Sequence, residues 1–188
     1  SIDSLKSLQN NLNDSILSNA LSDKFVKYTE DLEVESTSDY VYTIAKFNTI
    51  ELPKKVSTVE DIKVDHPVRL YAEQRGLLGL YPLLYFNENL YKQRLVVPFT
   101  YNGELVGWTA RHIAPPDKTT PKYLHNMQPG YVFNVDKFAD TEREIVIVTE
   151  GVFDAIMIDG IAIQGNSIGP EQAHLIEKLG KRIIVCPD

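Results

Sequence analysis

The spacing of apolar positions divides the chain into stretches of different character. Leu5, Leu8, Leu12, Ile16 and Leu17 recur at about three and four residues, which predicts an amphipathic helix. Ser22 stands where it can cap a second short helix, and the acidic DLEVESTSD stretch at 31–39 reads as a loop or hinge. Tyr40, Tyr42 and Ile44 alternate with smaller or polar neighbours, as in a strand. Residues 65–76 carry a helix signature: Asp65 as N-cap, Pro67 in the first turn, Val68, Tyr71 and Ala72 on one face, and Gly76 as the left-handed stop. In RLVVPFTYNGELVGWTAR (94–111), two β-rich runs flank Asn102-Gly103, a dipeptide suited to positive φ at both centres of a type I′ turn. A hairpin is expected there. APPDKTTPK (114–122) and Gln128-Pro129-Gly130 are the loop and turn that follow.

Beyond position 143 the alternation disappears. EIVIVT (144–149), IAIQ (161–164) and RIIVC (182–186) are β-rich runs of strands buried on both faces, so Cys186 is expected in the core. VFDAIMID (152–159) and PEQAHLIEKLG (170–180) read as the helices between them. The order β-α-β-α-β implies a parallel sheet wrapped by helices, and the fold class is α/β, with an α+β portion preceding that sheet.

Composition adds exclusions. The 188 residues are 43% hydrophobic and 24% charged, ordinary globular proportions. A single cysteine rules out an internal disulfide framework or a cysteine-based zinc ribbon. No apolar run approaches the ~18 residues of a membrane span, and SIDSLKSLQN does not resemble a signal peptide. No membrane association and a cytoplasmic location follow as expectations. The net charge of −7 argues against indiscriminate binding to phosphate polymers. It is distributed unevenly, however: residues 1–60 carry −4, residues 61–125 carry +2 and residues 126–188 carry −5. The middle third therefore suits contact with nucleic acid or a nucleoside triphosphate, and the last third has acids to offer a divalent cation.

Ligands of open parallel sheets bind beyond the carboxyl ends of the strands. Glu150 follows the first of these strands and Asp188 the third, with Asp154 four residues past Glu150 in the first turn of a helix. Such carboxylates can share a hard cation, or can simply cap helices. Gly165 and Gly169 bracket the turn after the second strand, where backbone N–H groups could meet phosphate.

These residues resemble a known family. Glu150-Gly151-Val152-Phe153-Asp154, GNSIGPEQ (165–172) and IIVCPD ending at Asp188 resemble the TOPRIM core of primases, topoisomerases and some nucleases. Upstream, HPVRLYAEQRGL, the 94–111 hairpin and PKYLHN (121–126) resemble DnaG-type primases of bacteria and phages, the last matching their Pro-Lys-Tyr-Leu-Asn stretch. The resemblance covers about residues 65–188. It implies a domain plan of an N-terminal helical or linker segment (1–60), a primase N-terminal subdomain with the hairpin (61–143) and a partial TOPRIM subdomain (144–188). It also implies catalytic roles for Glu150, Asp154 and Asp188, with Glu150 and Asp188 holding Mg2+ or Mn2+. Arg94, Arg111, Lys122, Tyr123 and Asn126 would line a basic ridge that meets single-stranded template or the incoming ribonucleoside triphosphate. The implied activity is synthesis of short RNA primers by two-metal nucleotidyl transfer.

The sequence departs from the family pattern at its end. The second Asp of an Asp-x-Asp pair would follow Asp188, so the chain reads as a fragment truncated within TOPRIM that makes little primer by itself. A replicative helicase would be engaged through regions absent here. Two alternatives stay open: a TOPRIM nuclease or topoisomerase-like phosphodiester enzyme, and a non-catalytic module that binds nucleic acid or a replication partner.

Overall fold

The computed structural model describes residues 46–115 and 119–187. The helix expected around Leu5–Leu17, the Ser22 cap, the 31–39 loop, the strand at 40–44 and Asp188 lie outside the described residues. In chain order the described elements are β1 (Val56–Thr58), α1 (Pro67–Gln74), β2 (Leu84–Phe86), β3 (Arg94–Tyr101), β4 (Glu104–His112), β5 (Tyr123–Asn126) and a 3-10 turn (Val135–Phe138). They continue with β6 (Ile145–Thr149), α2 (Val152–Ile158), β7 (Ile161–Ala162), α3 (Pro170–Glu177) and β8 (Arg182–Cys186). The result is a mixed α/β fold with one antiparallel and one parallel sheet.

The antiparallel sheet has the order β1-β2-β3-β4-β5. Its centre is the hairpin expected from Asn102-Gly103, and both turn residues have positive φ (50° and 81°). The register pairs Leu95 with Arg111 and Val97 with Thr109 on one face. Arg94 with His112 and Val96 with Ala110 take the other, because side chains alternate along a strand. β1 and β2, of three residues each, had no pattern long enough to reveal them in the sequence.

Helix α1 starts one residue later than the sequence suggested. The cap is His66, not Asp65: the His66 Nδ1 accepts from the Val68 N–H at 3.2 Å, and His66 is extended (φ −68°, ψ 131°), as a residue before proline prefers. Gly76 ends the helix with φ +66°, as expected.

The parallel sheet has the order β7-β6-β8. β6 pairs with β7 through Val148–Ile161 and with β8 from Ile145–Arg182 to Thr149–Cys186. Val146, Val148 and Ile161 are buried, with Leu175 and Ile176 of α3 packed in the same cluster. The third strand departs from expectation. β8 pairs on one side only among the described residues, and its Ile184 and Val185 are exposed, as is Cys186. An apolar run without alternation records composition, not whether a neighbour covers it.

The two sheets share a core. Leu95, Val97 and Phe99 of the hairpin pack with Val68 and Ala72 of α1, and with Val152, Phe153 and Ala155 of α2. Tyr131 and Phe133 on the connecting segment belong to the same cluster. The opposite face of the antiparallel sheet buries Phe86, Val96, Trp108 and Ala110. No helix among the described residues is long and apolar enough to cross a membrane.

Candidate functional site

The acidic rim lies where β6 ends. The Thr149 side chain is buried, and its Oγ1 donates to the Gly151 carbonyl (2.9 Å) and the Ile161 carbonyl (3.3 Å), fixing the chain's exit from the sheet. Glu150 follows, half-buried, and its carbonyl accepts from the Gln164 N–H at 2.9 Å. Gly151 caps α2 in an extended conformation, which places Asp154 in the first helical turn, a favourable position for a carboxylate at a helix N-terminus. A Cβ on Gly151 would lie 2.8 Å from the Asp154 Oδ2, so the carboxylate occupies space that only glycine leaves open.

Both ion pairs found among the described residues are on Asp159, with Lys137 and Arg143, so neither Glu150 nor Asp154 is neutralised by one. Asp188 lies outside the described residues. The β6–β8 register nonetheless brings Cys186, two residues before it, beside Thr149. Among the described residues no three His, Cys, Asp or Glu side chains cluster as a self-sufficient metal site. Two carboxylates at one rim suit Mg2+ or Mn2+, hard cations that take one or two carboxylates and draw their remaining ligands from water and substrate phosphate.

The cationic residues expected on a single ridge separate into distinct settings. Arg111 and Tyr123 face each other across β4 and β5. The Arg111 Nη1 donates to the Tyr123 hydroxyl and its Nε to the Tyr71 hydroxyl of α1, each at 2.6 Å. The guanidinium lies 5.1 Å from the Tyr123 ring centre and 6.0 Å from that of Phe153. Phe153 immediately precedes Asp154, so this patch adjoins the helix that carries the acid. Partial burial works against the Arg111 charge, but the hydrogen bonds to Tyr71 and Tyr123 outweigh it and raise its pKa. Lys122 is exposed, with its ammonium 5.5 Å from the Tyr123 ring centre.

Arg94 and Asn126 do not join them. Arg94 is only 3% exposed. Its guanidinium donates to the carbonyls of Leu90 (3.3 Å), Ala110 (3.2 Å), Lys122 (3.5 Å) and Pro121 (2.9 Å). It braces the Pro121–Lys122 segment from beneath and does not present its charge to a ligand. Asn126 pairs with Trp108, which places it on the opposite face of the sheet from Tyr123 and Arg111. The reason is the register: Tyr123 and Asn126 are an odd number of residues apart on one strand.

The Gly169 N–H is also committed, donating to the Gln172 Oε1 at 3.1 Å, so of the two glycines after β7 only Gly165 could offer its amide to phosphate. Sequence reasoning missed Gln164. It follows β7 with a left-handed φ of 57°, and its Nε2 is buried without a hydrogen-bond partner among the described residues, next to the Glu150 main chain. Only the β-sheet pairing reveals that adjacency.

Fold and rim together define a protein that sets a five-stranded antiparallel sheet against a parallel sheet edged with carboxylates. That arrangement is the fold of DnaG-type primase catalytic cores. The chain is similar to a DnaG primase catalytic domain bound to single-stranded DNA, with 16% identity, a TM-score of 0.55, and coverage of 69% of this chain and 58% of that one. The E. coli primase catalytic core gives the same identity, TM-score and coverages. The RNA polymerase domain of Mycobacterium tuberculosis primase DnaG gives 17% identity and a TM-score of 0.53, over 70% of this chain and 62% of that one. The chain thus spans less than two thirds of each of these structures, and at such identities the likeness is one of fold. No protein-family model matches the sequence, and no curated protein is similar to it by sequence.

Proposed function

We propose that the chain is part of a DnaG-type primase catalytic core, with residues 144–188 forming part of its TOPRIM portion. In this reading the parent is a cytoplasmic bacterial or phage enzyme that joins ribonucleotides into short primers on single-stranded DNA. The observation that carries the reading is the Arg111–Tyr123 pair beside the helix that bears Asp154, on a fold shared with primase catalytic cores.

Glu150 and Asp154, with Asp188, would hold Mg2+ or Mn2+ at the carboxyl rim of the parallel sheet. When bound, divalent ions activate the attacking 3′-hydroxyl and neutralise the departing pyrophosphate. The protein's own residues supply position and charge. Arg111, held in orientation by two phenols, presents a cation toward phosphate, and Lys122 adds an exposed one. Tyr123 offers its ring to a base. Arg94 acts indirectly, through the segment it braces.

Two measurements test this. Mn2+ titration followed by NMR should broaden signals around Glu150 and Asp154, and Glu150→Gln should weaken the effect. Primer synthesis on single-stranded template by the protein that carries this chain should disappear with Glu150→Gln. Synthesis that survives this substitution would defeat the reading.

A further inference from the structure

We infer that His125 is a nucleobase-stacking residue, forming with Tyr123 a two-ring platform on β5 of the antiparallel sheet. This deepens the proposed function and rests on its reading of the chain as a nucleic-acid enzyme.

The inference starts from the register. Among the described residues β5 is the terminal strand of its sheet, and Tyr123 and His125, two residues apart, share one face. That face also carries Arg111, opposite Tyr123, and Thr109, opposite His125. His125 therefore holds the place beside Tyr123 from which Asn126 is turned away. The imidazole and phenol rings lie nearly parallel, with 20° between their planes and 5.6 Å between centres. His125 Nδ1 shares a hydrogen bond of 3.0 Å with the Thr109 hydroxyl, itself on a buried residue, so the imidazole is anchored. His125 is nevertheless exposed.

An anchored, exposed aromatic ring stacked on a second one is the arrangement that receives a base, because every base has a π-face and the protein loses little side-chain freedom on binding. The surrounding charge agrees with a nucleotide. Arg111 and Lys122 lie 5.1 Å and 5.5 Å from the Tyr123 ring centre, positioned for phosphate. The base could belong to a single strand or to a free nucleoside triphosphate. In either case the chemistry is the same.

The test uses the 188-residue chain, a fluorescent oligothymidylate and, separately, ATP. His125→Ala and His125→Asn should each weaken binding of at least one ligand about tenfold, whereas His125→Phe, which keeps a ring but loses the Thr109 hydrogen bond, should restore most of it. Thermal melting checks that the variants fold. Loss with the oligonucleotide alone assigns the platform to the strand, and loss with ATP alone assigns it to the nucleotide. In the unaltered chain, the His125 Cε1 proton should shift upfield as the ligand binds. Binding without that shift, or equal affinities for all variants, would overturn the inference and leave the primase reading standing. Absence of binding to either ligand by the unaltered chain would overturn both.

Discussion

Arg111 and Tyr123 face each other across the last strand pair of the antiparallel sheet, joined by a 2.6 Å hydrogen bond and a guanidinium lying 5.1 Å from the ring centre. With Tyr71 on the Nε, the guanidinium is held at two of its corners by phenol oxygens and by no carboxylate in an ion pair among the described residues. Tyr71→Phe and Tyr123→Phe should each cost about 1.5 kcal/mol of stability, the lower end of the net value of a hydrogen bond with a charged partner. Both should weaken binding to single-stranded DNA while leaving the aromatic contacts. A double-mutant cycle with Arg111→Gln, read by urea unfolding, should show coupling in each case; additive effects would mean that the phenols do not orient the cation.

The same strand pair depends on a residue without a side chain. A Cβ on Gly107 would collide with the Asn126 carbonyl oxygen and press on the Phe99 ring. The obstacle is main chain, which cannot rotate away. Gly107→Ala should therefore part β5 from β4, destabilise the fold by more than 2 kcal/mol or so in the manner of overpacking, and abolish ligand binding at Tyr123. Amide exchange along Tyr123–Asn126 should accelerate in any folded fraction. Unchanged protection there would refute the steric argument.

Gly107 also illustrates how far the sequence could be read. The hairpin was legible because Asn102-Gly103 states its turn chemistry locally, and the parallel sheet because its runs of Val and Ile need no partner to be recognised. What escaped depended on register. Arg94 looked like a surface cation because nothing local shows that four carbonyls converge on it. The family resemblance groups Asn126 with Tyr123, yet strand alternation sends the two to opposite faces, and His125, without a role in that resemblance, is the neighbour of Tyr123 in space. Cys186 reads as a core residue in the sequence because apolar composition does not reveal that the strand leaves it exposed. Glu150 and Asp154 were found because strand ends and first helical turns are both local features.

Gly151 gives a separate handle on the acidic rim. Its missing Cβ leaves the space in which the Asp154 carboxylate rests, 2.8 Å from where that atom would be. The carboxylate is the end of an exposed side chain and can swing aside. Gly151→Ala should therefore leave the melting temperature within a few degrees of the parent, while Mn2+ binding weakens severalfold because one donor is displaced. Equal Mn2+ affinity in the variant would show that the position of Asp154 over Gly151 has no part in holding metal.

Arg94 should separate stability from ligand binding. Its burial lowers its pKa, and four carbonyls compensate the cation in place of a carboxylate. Arg94→Met removes the donors to all four carbonyls, the buried one of Ala110 among them, at a cost of about 1–3 kcal/mol. Arg94→Lys keeps the charge but cannot reproduce the planar fork, and should be destabilising as well. Under conditions where the variants remain folded, affinity for single-stranded DNA should fall far less than in Arg111→Gln, and the salt dependence of binding should keep its slope. A reduced slope would place the Arg94 charge in contact with phosphate after all.

Asp159 provides a pH signature independent of the functional site. It ends α2 with a left-handed φ of 52° and accepts from the Lys137 Nζ at 2.6 Å and the Arg143 Nη2 at 2.7 Å. The hydrogen bond from Lys137, with that from Arg143, holds its pKa below the ordinary 3.8 despite an opposing effect of partial burial. A carboxylate with a depressed folded pKa binds fewer protons folded than unfolded, so its contribution is complete above the ordinary value and is lost as pH falls through the folded one. Because the pair is half-exposed, that contribution is about 0.5–1 kcal/mol. Asp159→Asn tolerates the same backbone conformation and removes the charge. At pH 7 it should be less stable by that amount, and the gap should narrow in 1 M salt and close at the acid end of the titration. A gap that persists unchanged into strong acid would mean that Asp159 stabilises the turn through its shape and hydrogen bonds, not through its charge.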